Sequence, residues 1–244
     1  MRQQVDIQTA DGVADAYLVT PEGEGPFPGV LLFMDAFGLR PQIMEMAARI
    51  AAEGYVVLAP NLFYRSARSP LVEPADLTDE ERRGAAFGRL MPMMRELTAE
   101  RVVADTRAYL EFLPAGRAGI VGYCMGGRNA LIAVSALPDR FAALGSFHAG
   151  RVVSDDPASP HRNLGAITAE VYFGHADNDG SMTPENITAL EAALAEAGVT
   201  YTSELYEGAP HGFTMADTSM HDAAAENRHW EALFALLGRA LPVR

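Results

Sequence analysis

The sharpest limit on the fold comes from a repeated alternation between short, continuous apolar runs and longer segments of helical periodicity. "PGVLLFMD" (Pro28 to Asp35), "YVVLAP", "AGIVGY", "FAALGSFH" and "AEVYFGH" lack the in-out polar alternation of a half-solvated strand. Such runs suit strands covered on both faces. Between them, "PQIMEMAARIAAEG" opens at Pro41, places Ile43, Met46, Ala47 and Ile50 at helical spacing, and closes at Gly54. "AERVVADTRAYLEFL", "GGRNALIAVSAL", "PENITALEAALAEAG" and "AAAENRHWEALFALLGRAL" read as further helices, and "TYTSELYEG" as a last strand. "VDIQTADGVADAYLVTP" predicts a β-hairpin turning at Asp11–Gly12. The expected fold class is therefore α/β: a mostly parallel central sheet, helices on both faces and a short N-terminal hairpin. Residues 1–244 form one expected domain, and the stretch 61–98, which breaks the rhythm, is expected to be an insertion beside the active site.

Composition removes several function classes. All 19 basic residues are arginine, and the formal net charge is −13. An acidic chain repels nucleic acid and anionic lipid, so neither is an expected partner. Without lysine there is no Schiff-base chemistry, no lysine-linked pyridoxal phosphate and no Walker A loop. No apolar stretch is long enough to span a membrane, and the N-terminus lacks the apolar core of a signal peptide. One cysteine makes no internal disulfide, which points to a reducing, cytoplasmic compartment. Monomer and small homo-oligomer are both compatible with the chain.

That cysteine is Cys124, in "GIVGYCMGGRNAL". A lone cysteine is by default a small buried hydrophobe. Here it sits where a strand ends and a helix begins, bracketed by Gly122 and Gly126, in the pattern of the Gly-x-Ser-x-Gly nucleophile elbow with sulfur for oxygen. Glycines two residues to either side relieve the crowding of the sharp turn, and the helix N-terminus favours a thiolate. A nucleophile needs a base and the base an orienting group. Of six histidines, His211 in "EGAPHGF" follows the last strand, where the base belongs in the order nucleophile, acid, histidine. His148 and His175 also follow strands and remain formally possible; His161, His221 and His229 lie in a polar loop or the last helical region. The acid is expected in "FGHADNDGSMTP", from Asp177 or Asp179, with Asp177, nearer the strand end, preferred. No ligand cluster accompanies His175 and Asp177, so no metal is expected.

Gly-Tyr-Cys-Met-Gly-Gly at 122–127, Gly-His-Ala-Asp at 174–177 and His-Gly-Phe at 211–213, with "MDAFGL" and "EGYVVLAPNLFYR", resemble the dienelactone hydrolase family, a cysteine branch of the α/β-hydrolases. The resemblance implies Cys124 as nucleophile, His211 as base and Asp177 as its partner, with oxyanion donors from the N–H groups of Ala36 and Met125. It sets Asp35 where archetypal members carry a glutamate that touches the thiol, so Asp35 is expected to modulate Cys124. It sets Met215 where they carry a carboxylate-gripping arginine, and Arg82 or Arg83 at a second such arginine. Phe37, Tyr64, Phe87 and Phe213 are candidate pocket walls, or ordinary core. The expected activity is cofactor-free hydrolysis of a small ester or lactone through an acyl-thioenzyme. A carboxylesterase or thioesterase on the same fold is the nearest alternative, and a non-catalytic binder or thiol sensor the more distant one.

Overall fold

The computed structural model describes residues 1–243. Eight strands form one sheet: β1 (Arg2–Thr9), β2 (Gly12–Val19), β3 (Gly29–Phe33), β4 (Val56–Pro60), β5 (Ala118–Tyr123), β6 (Phe141–Phe147), β7 (Glu170–Ala176) and β8 (Tyr201–Tyr206). Their order is β1-β2-β4-β3-β5-β6-β7-β8. The pairs β1–β2 and β2–β4 are antiparallel, and the rest are parallel. Thr9 pairs with Gly12, so the hairpin turns at Ala10–Asp11, one residue before the expected place. The helices are α1 (Pro41–Ala52), α2 (Ala75–Thr78), α3 (Glu80–Arg95), α4 (Ala99–Leu110), α5 (Met125–Ala136), α6 (Pro184–Glu196) and α7 (Ala223–Ala240).

Both faces of the sheet are covered, and β5 shows why its sequence is apolar throughout. A side chain at Gly119 would strike Leu237 of α7, whereas one at Gly122 would strike Gly126 in α5. Strand residues of opposite parity face opposite sides, so α5 and α7 lie on opposite faces. Every residue of β3, β4 and β5 is accordingly buried. In the stretch 61–98, Asp79 caps α3 by accepting from the Arg82 N–H at 2.9 Å, and Glu80 and Glu81 follow in its positive first turn. Val72, Leu77, Ala86 and Leu90 make a small apolar cluster of their own, against which Phe37 packs.

The close approach of α5 to β3 is the tightest demand in the fold. A Cβ at Gly126 would meet the carbonyl oxygens of Phe33 and Met34, and one at Gly122 the backbone of Gly126. Backbone atoms cannot rotate aside, so Gly126→Ala should destabilise the protein by about 3 kcal/mol, the upper end of the usual overpacking cost. Urea unfolding measures it; a loss below about 0.5 kcal/mol would mean that the two elements are not held this closely.

Candidate active site

Strand β5 ends at Tyr123, and α5 begins at Met125. Cys124 makes the turn between them with φ 55° and ψ −121°, in a region that non-glycine residues rarely occupy. Its N–H donates to Phe147 O at 3.1 Å, and its carbonyl accepts from Gly127 N at 3.1 Å. These bonds pin the strained residue and leave the half-buried thiol at the N-terminus of α5.

His211 arrives from the loop after β8. Its Nε2 lies 3.1 Å from Cys124 Sγ and its Nδ1 2.6 Å from Asp179 Oδ2. The Asp179 carboxylate also accepts from the Ser181 N–H at 2.8 Å and the Ser181 hydroxyl at 2.7 Å. Burial pushes the Asp179 carboxyl up, but His211 and Ser181 outweigh it and leave it below the ordinary range. For His211, burial disfavours the cation, while the Cys124 charge and the bonds to Asp179 and Cys124 overcome this and raise it well above an ordinary imidazole. Asp179 thus fixes Nδ1–H and turns Nε2 to the sulfur.

The expected carboxylate, Asp177, is not the one that meets His211. Its oxygens accept from the Asn178 N–H and from the Gly208 N–H, each at 2.9 Å, which ties the β7 loop to the β8 loop. Asn178 adopts a left-handed φ of 54°, and the chain reverses there to bring Asp179 back to the histidine.

A cleft of about 250 Å³ opens over Cys124 and His211. Asp35, Ala36 and Phe37 line it from the loop after β3, Arg83 and Phe87 from α3, and Met215 from the histidine loop. The N–H groups of Ala36 and Met125 make no hydrogen bond among the described residues. Asp35 departs from expectation. It is 3% exposed, and its carboxylate is held by Arg40 through bonds of 2.6 and 3.0 Å, rather than by the thiol. Arg40, 2% exposed, also grips Asp217 at 2.7 and 3.1 Å and the Gly38 carbonyl at 3.2 Å. Burial disfavours this guanidinium, and the two carboxylates outweigh it and keep it charged. The Met215 sulfur lies 3.5 Å from Arg40 Nη2.

Other expected wall residues separate. Arg83 lines the cleft with Nη1 against the Ser219 hydroxyl, whereas Arg82 is exposed on the first turn of α3 and does not line it. Phe213 is core: fully buried, it stacks on Tyr206 at 4.7 Å. Tyr64 is also core, bonded to Thr9 at 2.7 Å and Asp105 at 2.9 Å. A larger cleft of about 530 Å³ lies between α4 and α5, lined by Val103, Ile132 and Ser135 among others. The Ser135 hydroxyl there donates to Leu131 O at 2.8 Å and faces no base. Among the described residues, no group of three or more His, Cys, Asp or Glu could hold a metal ion, and no helix is long and apolar enough to cross a membrane. Sequence reasoning missed Arg40 and Asp217, because nothing local marks an arginine for burial.

An open, mostly parallel sheet with the strained strand-to-helix turn of Cys124 at its carboxyl edge and His211 after the last strand has the architecture of an α/β-hydrolase. The chain belongs to the dienelactone hydrolase family, whose model matches residues 14–241, and it is thus a member of a hydrolase family. The carboxymethylenebutenolidase of Rhodococcus opacus is 25% identical over 230 residues, covering 93% of this chain and 87% of that one. The solved structure m3DLH is 26% identical, with a TM-score of 0.79 over 98% of both chains. A crystal structure from Klebsiella pneumoniae subsp. pneumoniae, 22% identical, shares the fold with a TM-score of 0.83 over 98% of both chains.

The two aspartates are separable by NMR titration of the His211 imidazole. A raised midpoint keeps the ring charged below it and neutral above it. Removing the Asp179 charge should lower that midpoint, so the ring loses its proton at lower pH, whereas Asp177→Asn should leave it in place. The reverse ranking would reassign the carboxylate.

Proposed function

We propose that the protein hydrolyses small carboxylic esters or lactones through an acyl-thioenzyme on Cys124, with His211 as acid and base and Asp179 as its orienting carboxylate. The observation that carries this reading is the unbroken Sγ–Nε2, Nδ1–Oδ2 relay of 3.1 and 2.6 Å at a strained elbow. The Cys124 proton passes to His211 Nε2, and the sulfur attacks the substrate carbonyl carbon. The carbonyl oxygen takes up the electron pair and accepts from the free N–H groups of Ala36 and Met125, supported by the dipole of α5. When the tetrahedral intermediate collapses, the C–O bond to the leaving alcohol breaks and His211 protonates that oxygen. In a lactone the alcohol stays tethered as the opened ring. His211 then takes a proton from water, whose oxygen attacks the thioester, and collapse releases the carboxylic acid and the thiolate. These steps need no cofactor. We read the protein as a monomer or small homo-oligomer of a reducing, cytoplasmic compartment.

The cleft is small for a drug-sized ligand, so a compact substrate fits best. Among the described residues, Arg83 is the one guanidinium that lines the cleft, because Arg40, behind the wall, spends its donors on Asp35, Asp217 and Gly38.

The test is hydrolysis of a matched ester, thioester and lactone panel by wild type, Cys124→Ala and Asp179→Asn. Cys124→Ala should remove turnover, and Asp179→Asn should lower kcat by up to about 10⁴-fold, as the wrong histidine tautomer does in serine analogues. Turnover that survives in folded Cys124→Ala would end the nucleophile assignment, and thioesters preferred over all oxygen esters would make the protein a thioesterase.

With Arg83 the one guanidinium among the described residues that line the cleft, a carboxylated lactone should exceed its neutral methyl ester in kcat/KM by less than about a hundredfold, equivalent to about 2.7 kcal/mol. Arg83→Met should lower the carboxylated substrate by about tenfold or more and leave the ester nearly unchanged, since a charge-assisted bond contributes about 1.5 to 3 kcal/mol. Equal losses on both substrates would remove Arg83 from anion recognition.

A further inference from the structure

Beside Cys124 and His211 sits a second histidine that the reaction does not use. His148 follows β6, is 1% exposed, lines the same cleft and has a left-handed φ of 37°. Its N–H donates to Gly174 O at 2.7 Å, which fixes the residue to the end of β7. The ring is wedged between His211, at 5.3 Å and 65°, and Phe213, at 5.1 Å and 76°, with Tyr123 6.0 Å away. Its Nε2 lies 2.8 Å from the hydroxyl of Thr214, a fully buried residue three positions after His211.

The direction of that bond follows from what stays unpartnered. His148 Nδ1 is buried and has no partner. A proton on Nε2 would leave two groups unmatched, the Nδ1 lone pair and the Thr214 hydroxyl hydrogen. A proton on Nδ1 leaves only that N–H. Thr214 therefore donates to Nε2.

The ring is also neutral. Burial, then the positive charge of His211, hold it well below an ordinary imidazole, and Asp179 and the residue's own backbone pull the other way. The groups around it are His211 and Thr214 on the β8 loop, Tyr123 on β5, Asp179 on the β7 loop and His229 on α7. Asp35 and Arg83 face the shared cleft from the β3 loop and α3. A cation at His148 would repel the imidazolium that His211 must become. A neutral ring does not.

We propose that His148 and Thr214 form a positioning pair that docks the His211 loop onto the end of β6 and fixes the His211 ring between Asp179 and Cys124. The loop's other backbone bonds explain the need. Phe213 N to Pro210 O, Met215 N to Gly212 O and Asp222 N to Phe213 O all close within the segment, and Asp177 N to Ala209 O anchors only its start. Past His211, Asp217 ties the loop through Arg40 to the segment after β3, and the Thr214–His148 bond is what ties it to the end of β6. A displacement of about 1 Å at a reacting group can cost about a hundredfold in rate, so such a tie has catalytic weight.

This inference rests on Cys124 and His211 being the reacting pair, and its test keeps the two claims apart. Thr214→Val removes the donor at similar volume, Thr214→Ser keeps it, and His148→Phe keeps a ring without the acceptor. Thr214→Val and His148→Phe should each lower kcat about tenfold with KM within about twofold, within the range that misplacement produces. They should also slow iodoacetamide alkylation of Cys124 at neutral pH by a similar factor and lower the NMR midpoint of His211. Thr214→Ser should restore all three, and the double variant should be no worse than either single one, as expected for partners in one interaction. A folded Thr214→Val with wild-type kcat, alkylation rate and midpoint overturns the proposal, as does a loss that serine fails to rescue. If one variant does not fold by near-ultraviolet circular dichroism, the other carries the same comparison. If the wild type hydrolyses no ester, the functional reading falls, while alkylation and titration still decide the pair.

Discussion

The backbone contact between α5 and the end of β3 governs the site. Only because Gly126 has no side chain can α5 start against the carbonyls of Phe33 and Met34. Only because Gly122 has none can β5 turn so sharply into that helix. The turn forces Cys124 to φ 55°, a conformation that costs on the order of 1 to 3 kcal/mol. Burial of Ala130, Leu131 and Val134 along α5 offsets that strain. The thiol, at the N-terminus of α5, then opens into the cleft, and His211 has only to reach 3.1 Å to it.

Charge in the cleft is arranged around one buried arginine. Arg40 holds Asp35 with two bonds and Asp217 with two more, so neither carboxylate is free. Breaking a buried ion pair typically costs about 3 to 5 kcal/mol, which keeps Asp35 from swinging to the sulfur in this conformation. With Asp35 occupied, His211 is the hydrogen-bond partner of Cys124. The Cys124 charge, then the bond to Asp179, keep that histidine charged to higher pH.

The parts legible in the sequence are those set by local pattern. Unbroken apolar runs mark β3 and β5, because strands covered on both faces admit nothing else. The Gly-x-Cys-x-Gly bracket marks the elbow, because the steric demand is local. His211 follows from chain order. The choice between Asp177 and Asp179 was not legible, since a single left-handed residue, Asn178, decides which carboxylate faces the histidine. Arg40 was invisible because its partner Asp217 lies 177 residues away. Phe213 and Tyr64 read equally well as wall or core, and only the packing of Tyr206, Thr9 and Asp105 separates them. In α3, Gly84, Gly88 and Pro92 blur the helical period that its cap at Asp79 announces.

A covalent intermediate on sulfur is the claim on which the chemistry stands, and intact-mass spectrometry of acid-quenched enzyme addresses it directly. Mixed with an activated ester for times shorter than one turnover, the protein should gain the mass of one acyl group. Peptide mapping should place that group on the fragment containing Cys124, and the gain should be lost within a few turnovers as water completes the reaction. Hydrolysis that proceeds with no mass gain at any quench time, or an acyl group on a different residue, would contradict a Cys124 thioester as the route.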